Sequence, residues 1–534
     1  DRAATRPGCD RSGGNPVPSS AMPGRRGPVL DPALRRLAVV VVLGSIMSIL
    51  DATIVAVAIN TLGREFHTSV DTIQWVSTGY LLALSAVIPL TGWAVDRFGH
   101  KRIWMGSLTL FLVGSVLCGL SWSAGSLIAF RVLQGIGGGM IMPVGQSLLA
   151  RAAGPQRMGR VMSVVGVPTV MGPVLGPVLG GLIIDSVTWR WIFFVNVPIG
   201  IAALALSVGA LEHDGKGRAA SLDWLGVSLL SPGLIALVYG LSKAGASGGF
   251  GQTTTLASIA IGALLLVAFV IHSARADRPL LDIRLFRDQS FAVAGSATFL
   301  VGASLFAAMF LMPLYYQVAR GQSALVAGLL MAPQGIGAAM VMRGAGAVAD
   351  RSGARRIVPA GVVLMALGSF AFTQVGANTS EVLLALALLV RGMGLGIVMM
   401  PVIAAGYMNL SREAVPRATT VINILQRVGG SIATALVAVV LQRQISAAFP
   451  GGAGFLSTGG SASGSSPSPQ AEQLMAQAFA HTFWWVFAMV ALIMVPALLL
   501  PKRSGAKTFV GEVEGLEDSR GSSPDETLTT PELA

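Results

Sequence analysis

The chain has 534 residues, of which 53% are hydrophobic and only 12% charged. A soluble domain carries about 25% charged residues, so this composition belongs in lipid. Its net charge of +12 does not mark a nucleic-acid partner, because the basic residues lie between apolar spans rather than in one patch.

Residues 1–36 are rich in Gly, Pro, Ser and Arg without periodicity and read as a disordered cytoplasmic tail. Apolar runs of about 20 residues or more follow, enough to cross a core about 30 Å thick at about 1.5 Å per residue. The first six lie near 37–60, 72–94, 103–122, 124–150, 158–186 and 192–211. A seventh and eighth lie near 221–241 and 254–273. The last six lie near 288–317, 324–348, 357–375, 380–408, 418–441 and 477–500. The expected fold is therefore an all-α membrane protein with fourteen transmembrane helices. Residues 37–211 form one six-helix half, 212–287 hold two inserted helices, and 288–500 form a second half. Residues 442–476 are Gly-, Ser- and Pro-rich and read as an outer loop, and 501–534 as a second cytoplasmic tail. Most Lys and Arg then fall on the inner side, as the positive-inside rule requires, with both termini cytoplasmic.

Two copies of one loop motif support the division into halves. Gly92, Asp96, Arg97, Gly99, Lys101 and Arg102 recur in order as Gly346, Asp350, Arg351, Gly353, Arg355 and Arg356. Gly99 and Gly353 suit tight turns. Asp96 and Asp350 can pair with neighbouring helix ends and hold the halves in one conformation, whereas orientation charge alone accounts for Lys101 and Arg102.

Asp51 lies deep in the first span, where a carboxylate costs several kcal/mol unless it is paired, solvated or protonated. It is either satisfied by helix packing or a proton-binding site. Counting from the span ends places Asp51 about 14 Å and Arg131 about 10 Å below the outer surface. Arg131 needs an acceptor, and Asp51 is a candidate. Glycines after Arg131 allow close helix packing. In span five, Gly172, Pro173, Gly176, Pro177, Gly180 and Gly181 leave one face without side chains, which suits a hinge or an ion-tight crossing. Arg391 and Arg427 are further intramembrane charges. Gln134, Gln317, Gln334, Arg391, Asn423 and Gln426 are candidates for a cavity lining, or equally for bonds between helices. A single deep acid does not suit dedicated transport of dications. The two cysteines, Cys9 and Cys118, provide no disulfide framework, and no metal-ligand spacing or nucleotide-binding Gly-Lys-Ser/Thr loop is present. No metal or cofactor is expected.

Together these motifs resemble the major facilitator superfamily, and within it the fourteen-span drug:proton antiporters of the EmrB/QacA type, over residues 37–500. The loop motif at 92–102, the span-four residues Leu127, Arg131, Gln134 and Gly135, and the span-five glycines carry the likeness. So do Asp51 and the stretch Trp189 to Pro198. Ser163, Ala94, Ala56 and Asn60 depart from the family pattern. The resemblance implies a transporter rather than an enzyme. It would export amphipathic or hydrophobic small molecules by alternating access, driven by the proton gradient, with Asp51 and Arg131 coupling the proton. It implies a monomer in a bacterial plasma membrane, whose partners are its small-molecule substrate, protons and the lipid bilayer. An exporter of one endogenous metabolite, a non-transporting sensor or scaffold, and an importer are the rival readings.

Overall fold

The computed structural model describes residues 31–153, 157–211, 221–246, 249–277, 279–376, 378–411, 413–448 and 469–501. Its first group of helices is α1 (Pro32–Glu65), α2 (Val70–Val87), α3 (Leu90–Phe98), α4 (His100–Gly119), α5 (Ala124–Ala153), α6 (Met158–Ser186), α7 (Trp191–Phe194) and α8 (Asn196–Ala210). Then come α9 (Trp224–Ala246) and α10 (Thr253–Arg275). The last group is α11 (Gln289–Leu314), α12 (Ala324–Ser352), α13 (Ala354–Phe372), α14 (Glu381–Tyr407), α15 (Val415–Ala448), α16 (Pro469–Leu492) and α17 (Met494–Leu499).

Among the described residues, 12 helices are long and apolar enough to cross a membrane, or 13 if α2 and α3 count as one bent span. The fourteen spans read from the sequence are not reached by that measure. α6, 29 residues long at the place of the expected fifth span, stands outside it.

Several boundaries differ from the sequence reading, for local reasons. The expected second span breaks into α2 and α3 with a 55° bend. Pro89 stands at the break, where it lacks an N–H and crowds the preceding turn. Pro198 similarly withholds the N–H that would bond Phe194, and the chain breaks at Val195 between α7 and α8. Residues 32–36, assigned to the tail, are helical because Pro32 suits the first helical position and Ala-Leu-Arg-Arg propagates it. Residues 442–448 and 469–476, assigned to the outer loop, are also helical, being rich in Ala and Gln. The rest of that loop, most of the first tail and residues 502–534 lie outside the described residues.

In the first group α1 packs on α6 and α8, and α5 on α2 and α4. In the last, α11 packs on α15, and α14 on α12 and α13. The groups meet where α6 runs along α12 and where α15 crosses α5 and α3. The repeated loop motif takes one shape twice: Gly99 (φ 91°) joins α3 to α4 and Gly353 (φ 84°) joins α12 to α13. A side chain at either position would be strained.

α10 packs on α9, and α9 rests on both α2 and α15. Asp223 ties the inserted pair together at one end. It accepts hydrogen bonds from the Gly226 N–H (2.8 Å) and the Leu280 N–H (3.1 Å), and its Oδ1 lies 2.9 Å from His272 Nε2. Desolvation pushes the Asp223 carboxyl up, but these bonds outweigh it and hold it below its ordinary value. Outward faces are apolar, as at Leu264 (70% exposed) and Val208 (62%), and Trp122 and Trp224 stand exposed at span ends like a membrane-interface belt. The chain is a multi-pass membrane protein.

Candidate functional site

Five helices converge on Asp51. Arg131 Nη1 of α5 donates to Asp51 Oδ2 at 2.5 Å, and Gln134 Nε2, one turn along α5, donates to Oδ1 at 2.8 Å. Asn196 Nδ2 of α8 donates to the same Oδ1 at 3.0 Å and to Ser115 Oγ of α4 at 3.0 Å. Ser115 Oγ in turn donates to the Phe193 carbonyl at 2.9 Å. The Arg131 guanidinium donates again to Gln134 Oε1 (2.8 Å) and, through Nε, to the Val76 carbonyl (3.1 Å), and lies 4.1 Å above the Tyr80 ring of α2. Asp51 is 0% exposed and Arg131 1%. Burying both charges costs several kcal/mol, and such a pair persists only when the remaining lone pairs and N–H groups are satisfied. Here both carboxylate oxygens accept and the guanidinium donates through Nε and Nη1, so the knot ties α1, α2, α4, α5 and α8 into one unit that depends on the charge of a single carboxyl.

Close helix approach makes this possible. Gly135 and Gly137 of α5 lie against the backbones of α2 at Tyr80 and α4 at Phe111, where a Cβ would collide. On the other side of α1, Gly172, Gly176 and Gly180 of α6 face Ile49, Thr53 and Ile54. Thr53 Oγ1 donates to the Gly172 carbonyl at 3.2 Å. The glycine face of span five thus seals α1 on either side of the Asp51 level. Gly181 turns toward Leu325 of α12, and the side chains of Pro173 and Pro177 lie outside the described residues.

The second group holds a counterpart in which the cation is met by neutral acceptors alone. Arg391 of α14, 0% exposed, donates to Gln334 Oε1 of α12 (2.7 Å), Ser369 Oγ of α13 (3.1 Å) and the Ser304 carbonyl of α11 (3.2 Å). Gln334 and Arg391 are therefore brought together, enclosed rather than lining open space. Where the first knot has a carboxylate on its leading helix, this one has a serine.

At the end of the bundle carrying the loop motifs, the two groups are tied directly. Arg417 Nη2 of α15 lies 3.1 Å from Asp96 Oδ2 of α3, and its Nε lies 3.2 Å from the same oxygen. Gly92 of α3 lets the Arg417 backbone and Cγ approach. Asn423 Nδ2, further along α15, donates to Gln146 Oε1 of α5 at 2.8 Å. Lys101 instead stays within its own group, donating to the Val208 and Leu211 carbonyls at the end of α8 (3.0 and 2.8 Å). Arg97, Arg102 and Arg351 are exposed and Asp350 is half-buried. Asp96→Asn is expected to open this end. A part-exposed pair contributes about 1 kcal/mol or less, so the population shift should be a few-fold. Spin labels placed on α3 and α15 should record it as a longer distance component in the variant.

Of the other residues singled out from sequence, Gln317 is exposed on a π-helical turn, Tyr315–Ala319, that prolongs α11. Gln426 packs against Gly302 of α11. Sequence reading did not single out Ser115, Tyr80, Ser304, Ser369 or Arg417. Asn196 was noticed only as part of a longer stretch, although a polar side chain within an apolar run is itself a signal.

Comparison with known proteins agrees with this architecture. Residues 41–434 match the family model described as Major Facilitator Superfamily. The chain is 39% identical over 495 residues to a Mycobacterium tuberculosis (strain H37Rv) protein named "Multidrug resistance protein B homolog", covering 89% of this chain and 92% of that one. It is 29% identical over 354 residues to "Multidrug resistance protein 3" of Bacillus subtilis (strain 168), covering 66% and 69%. Among solved structures, the proton:xylose symporter XylE superposes with a TM-score of 0.59 at 15% identity, covering 91% of this chain and 99% of that one. That likeness shows the fold alone. The chain belongs to the major facilitator superfamily, and is a transporter of small molecules rather than an enzyme.

Proposed function

We propose that this chain is a fourteen-span drug:proton antiporter that exports amphipathic or hydrophobic molecules from a bacterial cytoplasm by alternating access. The observation that carries the reading is the enclosed Asp51–Arg131 knot, in which one protonation changes the bonding of five helices. As a carboxylate, Asp51 accepts from Arg131, Gln134 and Asn196. Once protonated it loses its charge and must itself donate, and Arg131 is left without a counter-ion. The helix arrangement that suited the anion is then no longer favoured. Proton and cargo each bind the two arrangements with different affinity, and that difference couples their movements.

With the basic loops on the cytoplasmic side, the Asp96–Arg417 and Asn423–Gln146 contacts close the cytoplasmic end. Protonation from outside then favours return to the inward state, and cargo entering from the cytoplasm or inner leaflet favours export. α9 and α10 complete fourteen spans with α6. The chain works as a monomer in the plasma membrane and requires no cofactor beyond the proton gradient. The relatives named for multidrug resistance support export as the direction.

The test is efflux of a panel of anionic, neutral and cationic fluorescent amphiphiles from energised cells, with and without a protonophore. Efflux of at least one compound should cease when the proton gradient is collapsed while ATP is maintained. Efflux that survives the collapse would contradict the reading.

A further inference from the structure

Three arginines stand within the spans on described side chains, and they differ in how their charge is met. Arg131 faces Asp51. Arg391 is fully enclosed and its N–H groups meet the neutral oxygens of Gln334, Ser369 and Ser304. Arg427 of α15 is only half-buried, and makes no hydrogen bond or ion pair among the described residues. A guanidinium stays charged in any protein environment, and among the described residues this cation at mid-span has no acceptor.

Its direction follows from its neighbours on the helix. Asn423, one turn earlier on the same face, bonds Gln146 of α5, so that face of α15 looks across to the first group. Gly429 and Gly430 instead face Phe299 and Phe306 of α11, and Val428 packs toward α9. Arg427 lies within electrostatic reach of the Tyr80 hydroxyl. The Tyr80 ring is also stacked against Arg131, whose partner Asp51 is 0% exposed. A molecule held between the groups therefore meets a cation, and the Asp51 carboxylate is already neutralised and out of reach.

We propose that Arg427 is the anion-recognising group of the cargo site, so that the preferred cargo is an amphiphile carrying a carboxylate rather than a cationic dye. This rests on the export reading above and adds the chemical class of the cargo. The carboxylate supplies the charge-assisted bonds that the guanidinium lacks, and the apolar body of the cargo lies against the helices that flank it.

Binding to the purified full chain in nanodiscs of neutral lipid tests this without any gradient. The probes are a naphthyl carboxylate, its methyl ester and the matching naphthyl ammonium, titrated by calorimetry with empty nanodiscs subtracted. The unsubstituted protein should bind the carboxylate about tenfold or more tightly than the ester. Arg427→Gln should remove that difference by weakening the carboxylate alone, and Arg427→Lys should keep part of it. Equal binding of carboxylate and ester, no binding of any probe, tighter binding of the ammonium, or equal loss of both ligands in Arg427→Gln would overturn the proposal. If the carboxylate binds through Arg427 but no compound leaves cells on the proton gradient, the export reading fails and the anion site stands. Gradient-driven efflux of cations untouched by Arg427→Gln sinks the anion site alone.

Discussion

Asp51→Asn is expected to abolish gradient-driven efflux while the protein still reaches the membrane. Asn keeps the shape of the side chain and an oxygen that can accept from Gln134 or Asn196, so the packing of α1 against α6 and α8 is little disturbed. It cannot gain or lose a proton, and it leaves Arg131 facing a neutral group. Efflux against a concentration gradient should fall to the level of cells lacking the protein, and raising the proton gradient should not restore it. Passive exchange of cargo down its own gradient should persist, because the path between the halves is not altered. Retained uphill efflux in this variant would remove Asp51 from the coupling step.

The second large effect concerns stability. Removing one member of a buried, hydrogen-bonded charge pair typically costs about 3–5 kcal/mol, because the survivor remains enclosed without its counter-ion. Arg131→Gln should cost in that range, since Gln134 and Asn196 cannot replace its charge on Asp51. Asp51→Asn should also destabilise. The double variant Asp51→Asn/Arg131→Gln should lose less than the sum of the two, by about 1–3 kcal/mol, because no isolated charge remains. Unfolding of the purified variants in detergent, followed by tryptophan fluorescence, measures the cycle. Strict additivity would mean that the two groups are not energetically joined, in spite of the 2.5 Å contact.

How much of this was legible beforehand depended on the kind of signal. Apolar runs long enough for a bilayer placed the helices, and the repeated Gly-Asp-Arg-Gly motif marked two like turns that the structure forms with the same left-handed glycine. Depth counting brought Asp51 and Arg131 to one level, because helical rise is constant and both are read from a span end. Which further helices reach that level depends on crossing angles and rotations that spacing along the chain does not carry. Ser115 and Tyr80 therefore joined the knot unannounced, each from its own helix, and Asn196 had been marked only as part of the stretch Trp189 to Pro198. Arg417 lies 321 residues from Asp96, and no local pattern links them. Helix ends were misjudged where proline or alanine governed them: Pro89 broke a span that looked continuous, and alanine-rich ends carried α15 and α16 into an expected loop. The knot around Arg391 could be guessed only in part, since two of its acceptors are serines in otherwise apolar helices.

The most direct test of the account is proton movement driven by cargo. Purified protein would be reconstituted into proteoliposomes holding a pH-sensitive dye, with equal pH on both sides and valinomycin with potassium clamping the voltage. Addition of a transported amphiphile outside should drive protons out of the lumen as the cargo enters. The lumen should then become alkaline with the unsubstituted protein and stay unchanged with Asp51→Asn. Cargo uptake without any lumenal pH change in the unsubstituted protein would contradict proton antiport, and an equal pH change in Asp51→Asn would place the proton on another residue.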